Sequence, residues 1–298
     1  MPILEQKNIR ESQAQLSKTF ISRYNMNILC SKSKICYRLI ADTLADRLKR
    51  LEANTIFTNS LLLIAFHFST TDFIVRMFVT VYVNVLAYFI NDFIDVEIDL
   101  KAEDKDHAKA LFIKENKRTA FALIVFMSTF ILIFTLFYSK SICFGVILVL
   151  FVIFIYTDYF KNRAYLDIFG CFLWGMALPW IAIPDFSLEG IKYILLLGLF
   201  SCCTEIAQCV KDYESDKKYG LKTTPIVLGI PKTFLLAKVI YVVAAAYTLF
   251  VLRQFAGLFI LIPVFFSTSQ PVTQYWFKLR IVFGMVWFVI MVRIYFGT

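Results

Sequence analysis

Two stretches of this sequence set carboxylates at helical spacing inside otherwise apolar surroundings. In Asn91-Asp92-Phe93-Ile94-Asp95-Val96-Glu97-Ile98-Asp99, the residues Asn91, Asp95 and Asp99 stand at four-residue steps, and Tyr88 and Asn84 continue the stripe backwards. Farther on, Glu205, Gln208, Asp212 and Asp216 follow one another at three- and four-residue steps. On a helix each set occupies one face. Carboxylate and amide oxygens are hard ligands and the chain has only two histidines, so the pattern suits magnesium rather than zinc or copper. Magnesium keeps several waters and shares its shell with substrate phosphates. The expected chemistry is therefore capture of a diphosphate through metal ions, with Asn91, Asp92, Asp95, Asp99, Asp212 and Asp216 as candidate ligands. Lys105, Lys109, Lys161, Arg163 and Lys222 are the cations available to neutralise the remaining phosphate charge. Asn84, Tyr88, Tyr156, Glu205 and Gln208 are candidates for lining the substrate cavity.

The elements that carry these residues belong in lipid. Of 298 residues, 59% are hydrophobic and only 18% charged, below the roughly 25% charged of a soluble domain. Apolar runs such as Tyr193 to Cys203 and Val239 to Leu252 predict an all-α integral membrane protein. About nine spans are expected, near 53–70, 73–93, 119–138, 141–158, 165–184, 189–210, 232–252, 255–269 and 280–296. Ionisable residues in spanning helices face the bundle interior or a wet cavity, which puts both ladders on one central cavity. A single aspartate at a membrane boundary also reads as a solvated helix end. The repetition favours function: each ladder closes an even-numbered span and each is followed by a basic loop.

Charge distribution sets the orientation. The net charge of +9 is concentrated in the N-terminal arm and the loops after spans two, four and six, through Lys101, Lys105, Lys109, Lys114, Lys117, Arg118, Lys161, Arg163, Lys211, Lys217, Lys218 and Lys222. The intervening connections carry almost no basic residues, so the ladders are expected to face the cytoplasm, with the N-terminus inside and the C-terminus outside. This one-sided pattern reads as topology rather than as a nucleic-acid surface. Residues 1–50 are polar and basic, read as a cytoplasmic extension without a cleavable signal, amphipathic from Ile35 to Leu51, and residues 51–298 as the transmembrane domain. The seven cysteines lack paired metal-ligand spacing and read as apolar filler, and Trp174, Trp180, Trp276 and Trp287 as interface anchors.

On these residues the sequence resembles the UbiA superfamily of intramembrane prenyltransferases. Asn91 to Asp99 is similar to the family's NDxxDxxxD motif, and Lys211 to Gly229 (KDYESDKKYGLKTTPIVLG) to its DxxxD motif with the glycine, threonine, proline and leucine-glycine pattern that follows. Ile155 to Arg163 (IYTDYFKNR) is similar to the tyrosine- and lysine-bearing loop after the fourth helix. The resemblance implies nine transmembrane helices around a central cavity, capped by cytoplasmic loop helices. It implies that Asn91, Asp95 and Asp99 bind one magnesium-diphosphate element and Asp212 and Asp216 the other, so two ions bridging the diphosphate, with Lys161 and its neighbour Arg163 contacting it. One departure stands out: the arginine-proline pair of many members is absent, and Glu103 to Leu111 reads EDKDHAKAL, with Lys105 and Lys109 in its place.

The implied reaction moves an isoprenoid chain from a prenyl diphosphate to a lipophilic or aromatic acceptor, with Mg2+ as cofactor. A terpene cyclase, in which the substrate's own double bond captures the cation, would need the same ladders. So would attack of a polyprenyl phosphate on a phosphoribosyl diphosphate. An ion-coupled transporter fits less well, because the acids lie at the ends of spans rather than at the midplane. Acceptor, chain length and oligomeric state leave no mark on the spacing.

Overall fold

The computed structural model of the chain describes residues 32–47, 54–101 and 106–297, and all regular structure among the described residues is helical. Helix α1 covers residues 32–47. It is followed by α2 (Asn54–Ala65), α3 (Thr70–Ile94), α4 (Val96–Asp99), α5 (His107–Glu115), α6 (Lys117–Tyr138) and α7 (Lys140–Ile155). A π-turn (Tyr156–Phe160) prolongs α7 before α8 (Leu166–Ala177) and its 3₁₀ extension Pro179–Ala182. Then come α9 (Leu188–Lys211), α10 (Tyr213–Lys218), α11 (Thr224–Leu228), α12 (Ile230–Ala246) with a π-turn at Tyr247–Val251, the 3₁₀ segment Phe255–Phe265 and α13 (Val272–Phe296).

Among the described residues, six helices are long and apolar enough to cross a membrane: Thr70–Ile94, Lys117–Tyr138, Lys140–Phe160, Leu188–Lys211, Ile230–Val251 and Val272–Phe296. The other three expected spans are shorter apolar helices, Asn54–Ala65, Leu166–Ala182 and Phe255–Phe265. The chain is a multi-pass integral membrane protein. Its outer surface agrees, since Phe126, Phe137, Phe250 and Phe265 are exposed, a pattern that fits lipid and would be an aggregation hazard in water.

Side-chain caps fix where the long helices begin at the end remote from the ladders. Ser69 accepts from the Asp72 backbone N–H at the start of α3, Ser139 from that of Ile142 at α7, and Ser187 from that of Gly190 at α9. Ser139 is the sole residue between α6 and α7, so these two pack as an antiparallel pair. Helices α8 and α9 approach closely through Gly175 and Gly198: a Cβ at Gly175 would lie 2.4 Å from Ser201 Cβ and 2.8 Å from Leu197 O. Small residues let two spans meet backbone to backbone.

The buried apolar residues form two clusters. One joins α2, α8, α9, α12, Phe255–Phe265 and α13; the other joins α1, α3, α4, α5, α6, α7 and the C-terminal end of the α8 unit. Two expectations change here. Helix α13 begins at Val272, ahead of the expected 280, because Lys278 and Arg280 reach Gln270 Oε1 and Asn54 Oδ1 instead of entering lipid. Trp287 is buried in the first cluster rather than set at an interface.

Candidate diphosphate and metal site

Each ladder bends at its own aspartate. Asp95 closes α3 with φ −80° and ψ 2°, and Asp212 closes α9 with φ −86° and ψ 3°. Both lie in the sparsely populated bridge region. A short helix follows in each case, α4 or α10, and the four-residue step survives the bend: Asp99 N–H donates to Asp95 O at 2.9 Å and Asp216 N–H to Asp212 O at 2.8 Å. Two matching corners thus end two spans at the same end of the bundle. Tyr219 Oη ties the corners together by donating to Lys101 O at 2.5 Å.

Between them stands Lys161. The π-turn after α7 closes with Lys161 N–H on Tyr156 O at 2.8 Å, and a π-turn is a local insertion that re-aims the residues after it. Lys161 Nζ then reaches Asp95 Oδ2 at 2.5 Å. Its charge is also felt on the other ladder. Burial pushes the Asp216 carboxyl up to about 6, against the hydrogen bond from Thr223 Oγ1 at 3.1 Å; the Asp212 charge adds to the rise and Lys161 opposes it.

The remaining expected residues are distributed as follows. Asp92 is nearly fully buried and both of its oxygens are engaged: Oδ2 by Lys109 Nζ at 2.6 Å and Thr43 Oγ1 at 3.1 Å, and Oδ1 by Arg47 Nη2 at 3.1 Å. Lys109 also reaches Asp46 Oδ2 at 3.2 Å. Asp92 and Lys109 are therefore bonded to α1 and to each other. Arg163 is exposed, stacks over the Tyr159 ring at 3.8 Å and donates to its hydroxyl at 2.8 Å. Lys222 is exposed, and its backbone N–H donates to Asn162 Oδ1 at 3.3 Å. Lys105 lies outside the described residues.

Among the cavity candidates, Asn84 is buried with no hydrogen-bond partner for its Oδ1 among the described residues. Tyr88 carries the Arg47 guanidinium 4.1 Å above its ring. Tyr156 packs on Gly170 and the Cys171 thiol, with Glu205 and Cys209 close by. Gln208 is half-buried one turn before the second corner, and its backbone oxygen accepts from Asp212 N–H at 2.9 Å.

The sequence reading missed Asp167. Its buried carboxylate accepts from Thr224 N–H at 2.6 Å, Thr224 Oγ1 at 2.5 Å and its neighbour Ile168 N–H at 2.8 Å. Thr224 Oγ1 in turn accepts from Tyr165 N–H at 2.7 Å, which helps to hold Tyr165 at a φ of 69°, rare for a bulky residue. This clamp fixes the segment after the second motif to the start of α8. Gly229 then turns the chain into α12 at φ 79° and ψ 154°, a conformation essentially confined to glycine. Only the threonine-proline and leucine-glycine pattern signalled this clamp in the sequence.

A profile of the UbiA prenyltransferase family matches residues 55–296. The chain belongs to the UbiA prenyltransferase family. Solved structures share its fold at low identity. A UbiA homolog from Archaeoglobus fulgidus bound to GPP and Mg2+ has a TM-score of 0.63 at 12% identity, over 88% of this chain and 99% of that one. A structure described as digeranylgeranylglyceryl phosphate synthase gives 0.66 at 19%, over 89% and 99%. An apo UbiA homolog from Aeropyrum pernix K1 gives 0.57 at 16%, over 82% and 96%. A comparison with curated protein sequences gives no match.

Proposed function

We propose that this UbiA-family protein moves an isoprenyl chain from a prenyl diphosphate to a lipophilic or aromatic acceptor, with Mg2+ as its metal, on the cytoplasmic face of a membrane. The observation that carries the reading is Lys161, bonded to Asp95 of one ladder and electrostatically felt at Asp216 of the other. A cation between two acidic corners is placed for an anion that both corners hold through metal. The GPP, DMAPP and Mg2+ bound by the Archaeoglobus fulgidus homolog support the same ligand class. The basic residues of the loops at this end support the cytoplasmic orientation.

The donor set fits Mg2+. It is all oxygen, and among the described residues no three His, Cys, Asp or Glu side chains converge into a protein-only cage. That suits an ion whose shell is completed by waters and substrate phosphates. Asn91, Asp95 and Asp99 would hold one metal-diphosphate element, and Asp212 and Asp216 the other. Mg2+, when bound, neutralises the charge growing on the departing diphosphate. Lys161 donates to that same charge, and a charge-assisted donor fixed in advance costs no reorganisation during reaction. Arg163 and Lys222, both exposed at this end, would add positive charge for an approaching diphosphate.

As the carbon–oxygen bond breaks, the allylic carbon becomes cationic. Tyr156, one π-turn before Lys161, would supply an aromatic ring to stabilise it. The C–O bonding pair leaves with the diphosphate, the acceptor's electron pair forms the new bond to the allylic carbon, and the acceptor's proton passes to the released diphosphate or to water. Asn84, Glu205 and Gln208, which precede the corners on α3 and α9, would form a polar wall against which an acceptor is oriented.

Mass spectrometry of lipid-soluble products tests this. Purified protein is incubated with Mg2+ and geranyl, farnesyl or geranylgeranyl diphosphate, with and without a cell-derived acceptor extract. A prenylated product that needs the extract, and is lost in Asp95→Ala and Asp212→Ala, is the expected result. A cyclic hydrocarbon formed without extract would replace transfer by cyclisation, and no consumption of any prenyl diphosphate would refute the reading.

A further inference from the structure

The family match begins at residue 55, yet α1, which precedes it, is built into the first acidic motif. Leu39 and Thr43 are buried from this helix, and Arg38 stacks over the Phe112 ring of α5 at 4.0 Å. Its last turn carries three polar residues toward α3 and α5. Thr43 and Arg47 take one oxygen each of Asp92, Asp46 takes Lys109, and Lys109 returns to Asp92. Arg47 also covers Tyr88, one helical turn before Asp92. A small cleft beside these residues is lined by Asp46, Arg47, Asp92, Lys109 and, from the ladder itself, Asp99.

Asp92 sits between Asn91 and Asp95 on the last turn of α3, just before the chain bends at Asp95. A residue held on both oxygens there fixes the rotation of that turn, and with it the direction of Asn91 and Asp95. Buried ion pairs add little net stability, but they restrict geometry when every partner is placed. Arg47 is suited to this role because its planar group can bond a carboxylate and lie on a ring together.

We propose that Arg47 and Thr43 of α1 are positioning residues for the first metal-diphosphate element, acting through Asp92. The inference rests on the reading of Asn91, Asp95 and Asp99 as the holders of that element.

The test uses the full chain in detergent, with equilibrium binding of the thiolodiphosphate analogue of geranylgeranyl diphosphate measured across a Mg2+ titration, beside a thermal melt. Partners that orient metal ligands typically affect metal affinity by about 10–100-fold. Arg47→Gln is expected to raise the half-saturating Mg2+ concentration at least about tenfold by that precedent. Arg47→Lys should recover part of the loss, and Arg47→Gln combined with Asp92→Asn should be no worse than Asp92→Asn alone. If Arg47→Gln lowers the melting temperature but leaves Mg2+ half-saturation within about twofold of wild type, a stability role replaces the positioning role. Should Arg47→Gln not fold, Thr43→Val keeps the shape, removes one bond to Asp92, and decides the matter by the same titration. Failure of wild type to bind the analogue with Mg2+ refutes the diphosphate reading; binding by wild type with unchanged variants refutes only the role of α1.

Discussion

Replacing Asp167 with asparagine should loosen the second acidic motif without touching it. The carboxylate accepts three hydrogen bonds, two of them from Thr224. An asparagine of the same shape has one oxygen to offer. If that oxygen stays with Thr224 Oγ1 and Ile168 N–H, the new amide NH2 points at Thr224 N–H, donor against donor, and a flip moves the conflict to the other pair. One buried donor therefore loses its partner, which costs about 1–3 kcal/mol, and the surviving bonds lose their charge assistance. A total near 3 kcal/mol follows for a site that is 1% exposed. Thr224 adjoins Thr223, whose hydroxyl holds Asp216, so the disturbance reaches a proposed ligand. Misplacements of the order of 1 Å cost about 100-fold in rate. The assay is a thermal melt in detergent beside a Mg2+ titration of prenyl diphosphate consumption. We expect a lower melting temperature together with a raised Mg2+ requirement. An Asp167→Asn protein that melts and titrates like wild type would refute the clamp argument.

Three further outcomes follow from the same geometry. Lys161→Met should raise KM for the prenyl diphosphate and lower kcat by about 10²–10³-fold, as for loss of one preorganised donor, with Lys161→Arg partly restoring both; steady-state kinetics on the two variants decides it. The Asp216 carboxyl, raised to about 6, favours the folded state most at low pH, and that contribution is lost as pH rises from about 4 through about 6. Metal-free wild type should therefore lose of the order of 1 kcal/mol relative to Asp216→Asn between pH 5 and 7.5, after discounting for solvent screening; identical pH trends in the two melts would contradict this. Arg76→Met should destabilise the protein by about 1–3 kcal/mol, since it takes the donor from the buried carbonyls of Ile181 and Ile183, whereas Asp185 is half-exposed and keeps the Ser139 hydroxyl. Differential scanning fluorimetry in detergent measures that loss.

The ladders were legible because a four-residue carboxylate step within apolar sequence has few innocent explanations, and both survive in the structure. The bends at Asp95 and Asp212 were not legible, because a single residue with ψ near zero leaves the spacing intact. Asp167 escaped notice because one aspartate at the start of a span looks like helix-end solvation, and its partner lies 57 residues away. Asp92 and Lys109 carry the residue types of ligands, and only the docking of α1 shows that they satisfy one another. Residues 255–269 read as a span from hydropathy alone; the 3₁₀ geometry of Phe255–Phe265, with Pro263 inside, leaves no periodic trace in an all-apolar run.

Arg76 also sets an order of events during synthesis. Its guanidinium donates to the carbonyls of Ile181 and Ile183, at the end of the short α8 unit. Those acceptors are made 105 and 107 residues after the arginine. At about 5–20 residues per second, a ribosome needs about 5–20 s to reach them. Throughout that interval the start of α3 holds a charge whose final partners do not yet exist. The emerging chain must keep this end of α3 at the lipid–water boundary until α8 arrives, and the first half of the bundle locks only when the second half has begun to form.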